Sequence, residues 1–173
     1  MKQTEEEVHR LIESFSTKLP HFPDGRIDYS RSDTAPVITV FIAYKHTFLL
    51  LKRSQQVSTY QGKWNTVAGY LDNPKQTIFE KILEEVYEEI NITKDQIASY
   101  SFGKPYQFTD AGNNKTWIVY PTLVTLLEKP EITLNWEHTE YQWINAEDIS
   151  DFDTVPNLKK SMKRALKLAH RKK

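Results

Sequence analysis

One stretch, residues 77–92 (TIFEKILEEVYEEINI), constrains the fold more than any other part of the chain. Glu85, Glu88 and Glu89 stand at i, i+3 and i+4, so on a helix their carboxylates would share one face. Like charges at this spacing destabilise an isolated helix by about a few tenths of a kcal/mol per pair, so we expect a cation nearby. Apolar residues at helical spacing predict a buried face on the same helix: Ile78, Phe79, Ile82, Leu83, Val86 and Ile90.

Two interpretations of the glutamate face compete. Magnesium takes oxygen ligands, commonly one or two carboxylates together with substrate phosphates, so the face could hold a divalent ion. Acidic runs on surface helices more often lie in solvent, and on spacing alone this second interpretation is favoured. The residues around the helix therefore decide between them.

The segment 62–92, GKWNTVAGYLDNPKQTIFEKILEEVYEEINI, resembles the Nudix hydrolase signature. That signature is a Gly, five residues, a Glu, seven residues, and then Arg-Glu-aliphatic-any-Glu-Glu-any-Gly-aliphatic. Gly69 matches the opening glycine if the loop is one residue longer than usual. The second half of the signature is matched by Glu85, Val86, Glu88, Glu89 and Ile92.

Three positions depart from this pattern. Gln76, or Lys75, stands for the first Glu, Glu84 for the Arg, and Asn91 for the closing Gly. Asn tolerates the left-handed conformation that ends many helices, so Asn91 can still end this one. Because the Glu and Arg of the family pair with each other, we hypothesise a reversed pair here, with Lys75 or Gln76 facing Glu84.

The resemblance implies a metal site and a catalytic base. Glu85, Glu88 and Glu89 would bind Mg²⁺ or Mn²⁺, together with a backbone carbonyl of Ala68 or Gly69. The general base would be Glu85 or a downstream carboxylate, and we assign catalytic roles to Glu85, Glu88 and Glu140. Glu137 and Glu140 lie in a loop where they could instead be exposed turn residues. His138 is interpreted as a polar loop residue, since no second His lies at metal spacing.

Candidate substrate-binding residues are basic and aromatic. Lys52, Arg53 and Lys63 could contact phosphate or could be ordinary surface charges. Tyr106 and Trp117 could stack on a nucleobase or could pack in the sheet, and three further aromatics share this ambiguity: Tyr60, Phe108 and Trp136.

The order of predicted elements indicates an α/β fold. We expect a Nudix-like α/β/α sandwich with a mixed sheet, plus N-terminal and C-terminal helices. Pro121, within a predicted strand, suggests a bulge or an edge. The predicted elements are a helix at 5–19, strands at 37–44, 47–52, 64–68, 99–108, 115–127, 132–134 and 141–144, and a helix from about Pro156. The corresponding regions are 1–36 (helix and extended lead-in), 37–155 (catalytic domain) and 156–173 (basic helix).

Composition limits the location and the partners. The chain has 173 residues, no Cys and no apolar run long enough for a bilayer, so we expect a cytoplasmic protein without membrane contact. Its formal net charge is zero, but residues 156–173 hold eight Lys and Arg and no acid, leaving −8 on residues 1–155.

Three functions fit these features. The favoured one is a metal-dependent pyrophosphohydrolase that cleaves a phosphoanhydride bond in a nucleoside diphosphate linked to another group. The alternative is a catalytically degenerate Nudix-fold module that binds a nucleotide or a protein or RNA partner. RNA docking on the basic C-terminal helix is a third hypothesis, against which we favour an amphipathic helix with its basic face in water. The oligomeric state is left open, a homodimer included.

Overall fold

A computed structural model describes residues 2–167, with side chains described from residue 5 onward. In this part of the chain, three α-helices and eight strands are joined by loops and two short 3₁₀-helices, Lys94–Gln96 and Ala146–Asp151. The helices are α1 (Lys2–Ser16), α2 (Ile78–Ile90) and α3 (Leu158–Leu166). The strands are β1 (Thr34–Tyr44), β2 (Thr47–Arg53), β3 (Trp64–Asn65), β4 (Val67–Tyr70), β5 (Ile97–Phe102), β6 (Tyr106–Asp110), β7 (Lys115–Leu126) and β8 (His138–Asn145).

The sheet is mixed, as predicted. Its centre is the parallel pair of β1 and β7, which runs in register from Thr34 opposite Thr116 to Ala43 opposite Thr125. The remaining pairs are antiparallel: β2 pairs with β1, β3 and β8, β4 pairs with β1, and β5 and β6 pair with β7. The β3–β4 segment therefore crosses from β2 to β1 and brings its end to α2.

Helices cover both faces of this sheet. Ile38, Val40 and Ile42 of β1 pack into a core cluster that also contains residues of α1 and α2. Phe41 and Ala43 point the other way, into a second cluster that contains residues of α3. This two-residue alternation is the pattern of a strand buried on both faces. The predicted α/β/α sandwich is confirmed, and the terminal helices pack on the same sheet as the central region.

The ends of α2 follow from local chemistry. Thr77 caps the helix by accepting from the Glu80 backbone N–H, while the Glu80 side chain accepts from the Thr77 backbone N–H. Asn91 ends the helix in a left-handed conformation with φ of 56°, which confirms the prediction for this residue. The predicted apolar face is buried at Ile78, Ile82, Val86 and Ile90.

Thr66 fixes the segment between β3 and β4. Strands β1 and β2 pair only at Ala43–Phe48 and Tyr44–Thr47 and then separate. Thr66 lies where these two strands separate and is 1% exposed, and its hydroxyl donates to the Val40 carbonyl at 2.6 Å. A buried carbonyl at the split is thereby satisfied, and β4 is held against β1.

Several predicted elements are corrected. The single strand at 99–108 is two strands, because residues 103–105 leave the sheet where α3 packs closely against Gly103. Pro121 lies within β7, opposite this interruption, and its carbonyl accepts from the Gly103 N–H at 2.7 Å. The pairing shifts by one residue between Phe102–Thr122 and Tyr106–Val119, which agrees with the suggested bulge and not with an edge. Residues 132–134 form no strand.

The terminal helices also differ from expectation. Helix α1 ends at Ser16 rather than near residue 19. Helix α3 begins at Leu158, not Pro156, because Asn157 takes a left-handed conformation with φ of 64° that a helix cannot include. Part of the basic C-terminal segment, residues 168–173, lies outside the described residues. No helix in the described range is long and apolar enough to cross a bilayer.

Candidate active site

A cavity of about 330 Å³ opens beside α2 and β4. Its walls come from β1, the loop after β2, β4, β6, β7 and the residues at the start of α3. One end is charged, with Glu85 and Lys81 of α2 next to Asp72. The other walls are largely aromatic: Tyr60, Tyr70, Tyr106, Phe108, Trp117 and Trp136. We call these two parts of the cavity the charged end and the aromatic cleft.

Gly69 and Glu85 are in direct contact at the charged end. A Cβ placed on Gly69 would lie 2.0 Å from Oε1 of Glu85 and 2.3 Å from its Cδ. No side chain fits in that space, so the glycine is what lets β4 approach the carboxylate. The structure thus brings the opening glycine of the sequence motif against the first glutamate of its second half.

Lys81 is surrounded by carboxylates. Its side chain is 5% exposed, and its Nζ lies 2.7 Å from Oε1 of Glu85, 3.1 Å from Oε1 of Glu84 and 3.7 Å from Oδ1 of Asp72. Burial lowers the pKa of Lys81, but the carboxylates of Glu85, Asp72 and Glu84 outweigh it and raise the pKa above its usual value. This ammonium is the cation that the crowded glutamate face led us to expect.

Glu89 lies beneath the cavity and is 2% exposed. Its Oε1 accepts from the Ala68 backbone N–H at 3.1 Å, and its Oε2 lies 2.6 Å from Nε2 of His138. His138 is 6% exposed at the start of β8, so the interpretation of it as a polar loop residue is wrong. Burial lowers the pKa of His138 to about 4, which keeps its imidazole neutral at pH 7.

Glu88 is separated from the other two glutamates. Glu85 and Glu89 turn toward β4, whereas Glu88 is exposed on the outer surface of α2. The expected convergence of all three carboxylates is therefore not found. In the described part of the chain, no three His, Asp or Glu side chains are arranged to hold a metal ion as they stand.

Buried negative charge dominates the electrostatics of the site. Burial raises the pKa of Glu85, the carboxylates of Glu89 and Glu84 raise it further, and Lys81 opposes the change. Burial and the charge of Glu137 raise the pKa of Glu89 well above its usual value. Ionised carboxylates in such surroundings are costly unless a cation compensates them, so the site favours positively charged ligands.

The basic candidates separate into two groups. Arg53 lines the cavity, and its Nε donates to the Thr59 carbonyl at 3.0 Å. Lys52 pairs with Glu140 at 2.7 Å and Lys63 with Asp153 at 2.6 Å, and none of these four residues lines the cavity. Of the two downstream carboxylates, the structure places Glu137, and not Glu140, at the cavity.

Tyr106 and Trp117 both line the aromatic cleft. The hydroxyl of Tyr106 lies 2.7 Å from Oγ of Ser161, while Lys160 and Arg164 of α3 lie 4.4 and 4.8 Å from its ring centroid. The basic surface of α3 therefore makes cation–π contacts with one wall of the cleft.

The hypothesis of a reversed Lys75–Glu84 pair needs correction. Glu84 accepts from the side-chain amide of Gln76 and from Lys81, whereas Lys75 donates its backbone N–H to Oδ1 of Asn73. Burial raises the pKa of Glu84, but these two donors outweigh it and lower the pKa. Gln76, the second option in the hypothesis, does face Glu84.

Sequence reasoning missed three charged residues of the site: Lys81, Asp72 and Arg26. Lys81 stands three and four residues before Glu84 and Glu85, a helical spacing at which opposite charges pair, so the sequence carried a signal for it. Arg26 lies 3.7 Å from Oδ2 of Asp72 across a long sequence separation, which no local pattern reports.

The residues at the charged end fit a divalent ion. All the side chains that would hold it offer carboxylate oxygens, which magnesium and manganese prefer. Oδ1 of Asp72 is buried and has no hydrogen-bond donor within bonding distance in the part of the chain that the structure describes. A magnesium site needs only one or two carboxylates when substrate phosphates complete it, so Glu85 facing the cavity is sufficient as its anchor.

Comparisons with known proteins agree with this geometry. The family model described as the NUDIX domain matches residues 33–166. The nucleoside triphosphatase NudI of Klebsiella pneumoniae (strain 342) is 23% identical over 122 residues, which cover 68% of this chain and 86% of the relative.

Two solved structures have the same fold. The MutT protein of Methanosarcina mazei Go1 is 26% identical with a TM-score of 0.64, and the match covers 81% of this chain and 96% of that one. A C. elegans Ap4A hydrolase is 21% identical with a TM-score of 0.62, covering 79% and 98% of the two chains. Because the family model spans most of the chain, and because Gly69 and Glu85 of the motif both line the cavity, the chain belongs to the Nudix hydrolases, which act on phosphoanhydrides.

Proposed function

We propose that the chain is a pyrophosphohydrolase dependent on Mg²⁺ or Mn²⁺, which cleaves a phosphoanhydride bond in a nucleoside diphosphate linked to another group. Nucleoside triphosphates belong to this class, since the linked group is then a phosphate. A cytoplasmic location, predicted from the sequence, is part of the proposal.

The observation that carries the proposal is the contact between Glu85 and Gly69 at the charged end of the aromatic cleft. It presents a largely buried carboxylate to a cavity of about 330 Å³ that is also lined by several aromatic rings. Aromatic stacking contributes about 1–3 kcal/mol per base in nucleotide recognition. A nucleotide would thus place its base among the rings and its phosphates beside the carboxylate.

The proposed roles follow from position. Glu85 and Glu89, with the Gly69 carbonyl, would hold the metal, and Glu88 is the third proposed ligand, which would have to turn in from the outer surface of α2. A bound divalent ion would neutralise charge on the phosphate and lower the pKa of a nucleophilic water. Arg53, fixed by its bond to Thr59, would contact a phosphate oxygen, because a guanidinium matches phosphate geometry.

A proton acceptor for the attacking water must reach the cavity. Glu85 and Glu137 both line it, so we propose these two as the candidate general bases. Tyr106 and Trp117 are the proposed base-stacking residues. Lys52, Lys63 and Glu140, expected from the sequence to take part, are engaged in ion pairs away from the cavity and are left out of the proposed site.

The relatives' names support nucleotide substrates without selecting one. One relative is a nucleoside triphosphatase and one structural neighbour an Ap4A hydrolase. The cavity favours one nucleoside over two, since its volume is at the lower end of the roughly 300–1,000 Å³ of typical ligand pockets.

A second candidate is the binding module without turnover. Glu84 in place of the family Arg, together with the outward position of Glu88, favours it. RNA docking through the basic segment has less support, because Lys160 and Arg164 already contact the Tyr106 ring.

The test is a panel of nucleoside diphosphate derivatives and nucleoside triphosphates, assayed with and without Mg²⁺. The wild type is compared with Glu85→Gln, and with Glu140→Gln as a matched carboxylate-to-amide control outside the cavity. We expect Mg²⁺-dependent release of phosphate or nucleotide from at least one substrate, and a loss of about 10²–10³-fold in kcat for Glu85→Gln.

Two outcomes contradict the proposal. Nucleotide binding without turnover at any Mg²⁺ or Mn²⁺ concentration would select the binding module. Equal activity of wild type and Glu85→Gln would show that the acidic end of the cavity is not where the reaction occurs.

A further inference from the structure

Lys81 has an environment that a structural salt bridge does not require. Lysine is almost never fully buried unless it is paired, and a single carboxylate would suffice as its partner. Here one ammonium has three: Glu85 at 2.7 Å, Glu84 at 3.1 Å and Asp72 at 3.7 Å. It also lines the cavity together with Glu85 and Asp72.

The Lys81 ammonium is in direct contact with the Glu85 carboxylate, which lines the cavity. A divalent ion bound to Oε1 of Glu85 on this side would have to displace it, since both would occupy the space within 3 Å of that oxygen. The three carboxylates still exceed the two positive charges of Lys81 and Arg26, which lies 3.7 Å from Oδ2 of Asp72. Oδ1 of Asp72 has no hydrogen-bond donor among the described residues. Negative charge therefore remains for a divalent ion elsewhere in the cluster.

We propose that Lys81 is a built-in cation of the metal site, holding the position beside Glu85 that an additional divalent ion would otherwise fill. The chain then binds fewer divalent ions than its carboxylates could hold without Lys81. This inference rests on the proposed function for the presence of a divalent-ion site at Glu85.

The test is to count Mn²⁺ ions bound per chain, without nucleotide, by titration calorimetry and by the electron paramagnetic resonance signal of free Mn²⁺. Lys81→Met replaces the ammonium by an uncharged side chain of similar length. Lys75→Met is the matched control, because Lys75 is an exposed lysine just before the same helix. We expect about one more Mn²⁺ per chain at saturation in Lys81→Met than in the wild type or Lys75→Met.

An unchanged number of bound ions in Lys81→Met overturns the inference, whatever the affinity. Removing the ammonium could also unfold the chain, so Lys81→Gln is measured in parallel, and the thermal unfolding of both variants is followed with and without Mn²⁺. We expect Mn²⁺ to raise the melting temperature of the variants more than that of the wild type. Failure of Mn²⁺ to restore the fold of both variants contradicts the inference, since an added ion should substitute for the ammonium.

The inference and the proposed function fail separately. A wild type that binds Mn²⁺ and hydrolyses nucleotides, with the same ion count in Lys81→Met, removes the inference alone. A wild type that binds no Mn²⁺ and hydrolyses nothing removes the proposed function. If Lys81→Met then gains an ion, the role of Lys81 stands, and if it binds none, both are refuted.

Discussion

Replacing Gly69 by alanine tests the most compact contact of the site. The added Cβ would lie 2.0 Å from Oε1 of Glu85, about 1.4 Å short of the 3.4 Å at which ordinary contact begins. The backbone φ of Gly69 is not in the left-handed region, so an alanine there is strained only by this contact. Glu85 must therefore move, and its 2.7 Å contact with Lys81 is broken or stretched.

The expected magnitude follows from two opposing effects. Breaking a buried ion pair by displacing one partner costs about 3–5 kcal/mol, and the lower end applies because Lys81 keeps Glu84 and Asp72. The Gly→Ala change itself stabilises by about 0.4–1 kcal/mol through the unfolded state. Gly69→Ala should therefore lower the free energy of unfolding by about 2–3 kcal/mol.

The assay is urea unfolding followed by tryptophan fluorescence, in a double-mutant cycle with Glu85→Ala. In the Glu85→Ala background, the three atoms nearest the new Cβ (Oε1, Cδ and Cγ) are gone. Gly69→Ala should then be neutral or stabilise by up to about 1 kcal/mol, which gives a coupling of about 2–4 kcal/mol. A coupling below about 0.5 kcal/mol would refute the reasoning, because that is the scatter expected for independent sites.

Three further predictions concern the surroundings of the site. Thr66→Val keeps the side-chain shape but removes the donor to a buried carbonyl, so urea unfolding should show a free energy of unfolding lower by about 1–3 kcal/mol. No measurable decrease would contradict the hydrogen bond. Burial and the hydrogen bond to Asp110 raise the pKa of Tyr60 from 10.0 to about 12. Above pH 10 the unfolded chain loses the phenolic proton while the folded chain keeps it, so the free energy of unfolding of the wild type should fall between pH 10 and 12. Tyr60→Phe should be less stable than wild type at pH 8, with the difference narrowing as pH rises in urea titrations, and a constant difference would count against the raised pKa. Glu140→Gln should keep kcat within about twofold of wild type, since it removes only an exposed ion pair, whereas Glu137→Gln at the cavity should lower kcat more. A larger loss of kcat in Glu140→Gln than in Glu137→Gln would return Glu140 to the proposed site.

Most features of the fold that could be predicted depend on residues that are close together in the sequence. The left-handed Asn91 and the apolar face of α2 depend on neighbouring residues, and both are found in the structure. The break between β5 and β6 was not readable, because it depends on α3 packing against Gly103 from a distant part of the chain.

The residues of the candidate site also fall into those that local sequence predicts and those that depend on distant parts of the chain. Glu85 and Gly69 follow from a motif, and Lys81 could have been read from its spacing to Glu85. His138 could not, since its contact with Glu89 joins residues 49 apart and the sequence offers only a single histidine in a polar stretch. Helical spacing also overstated the grouping of the glutamates: successive residues turn by about 100°, so Glu88 and Glu89 cannot point the same way.

Glu89 connects α2 to two distant strands through one carboxyl group, with Ala68 preceding it by 21 residues and His138 following it by 49. Neither partner is in place until β4 and β8 have joined the sheet. A chain that has collapsed around α2 but not yet added β8 would carry this acid without its imidazole partner. The order of folding therefore determines when the site forms: a nascent or truncated chain lacking residues 138–145 would contain every motif residue from Gly69 to Ile92 and still lack the His138 partner of Glu89.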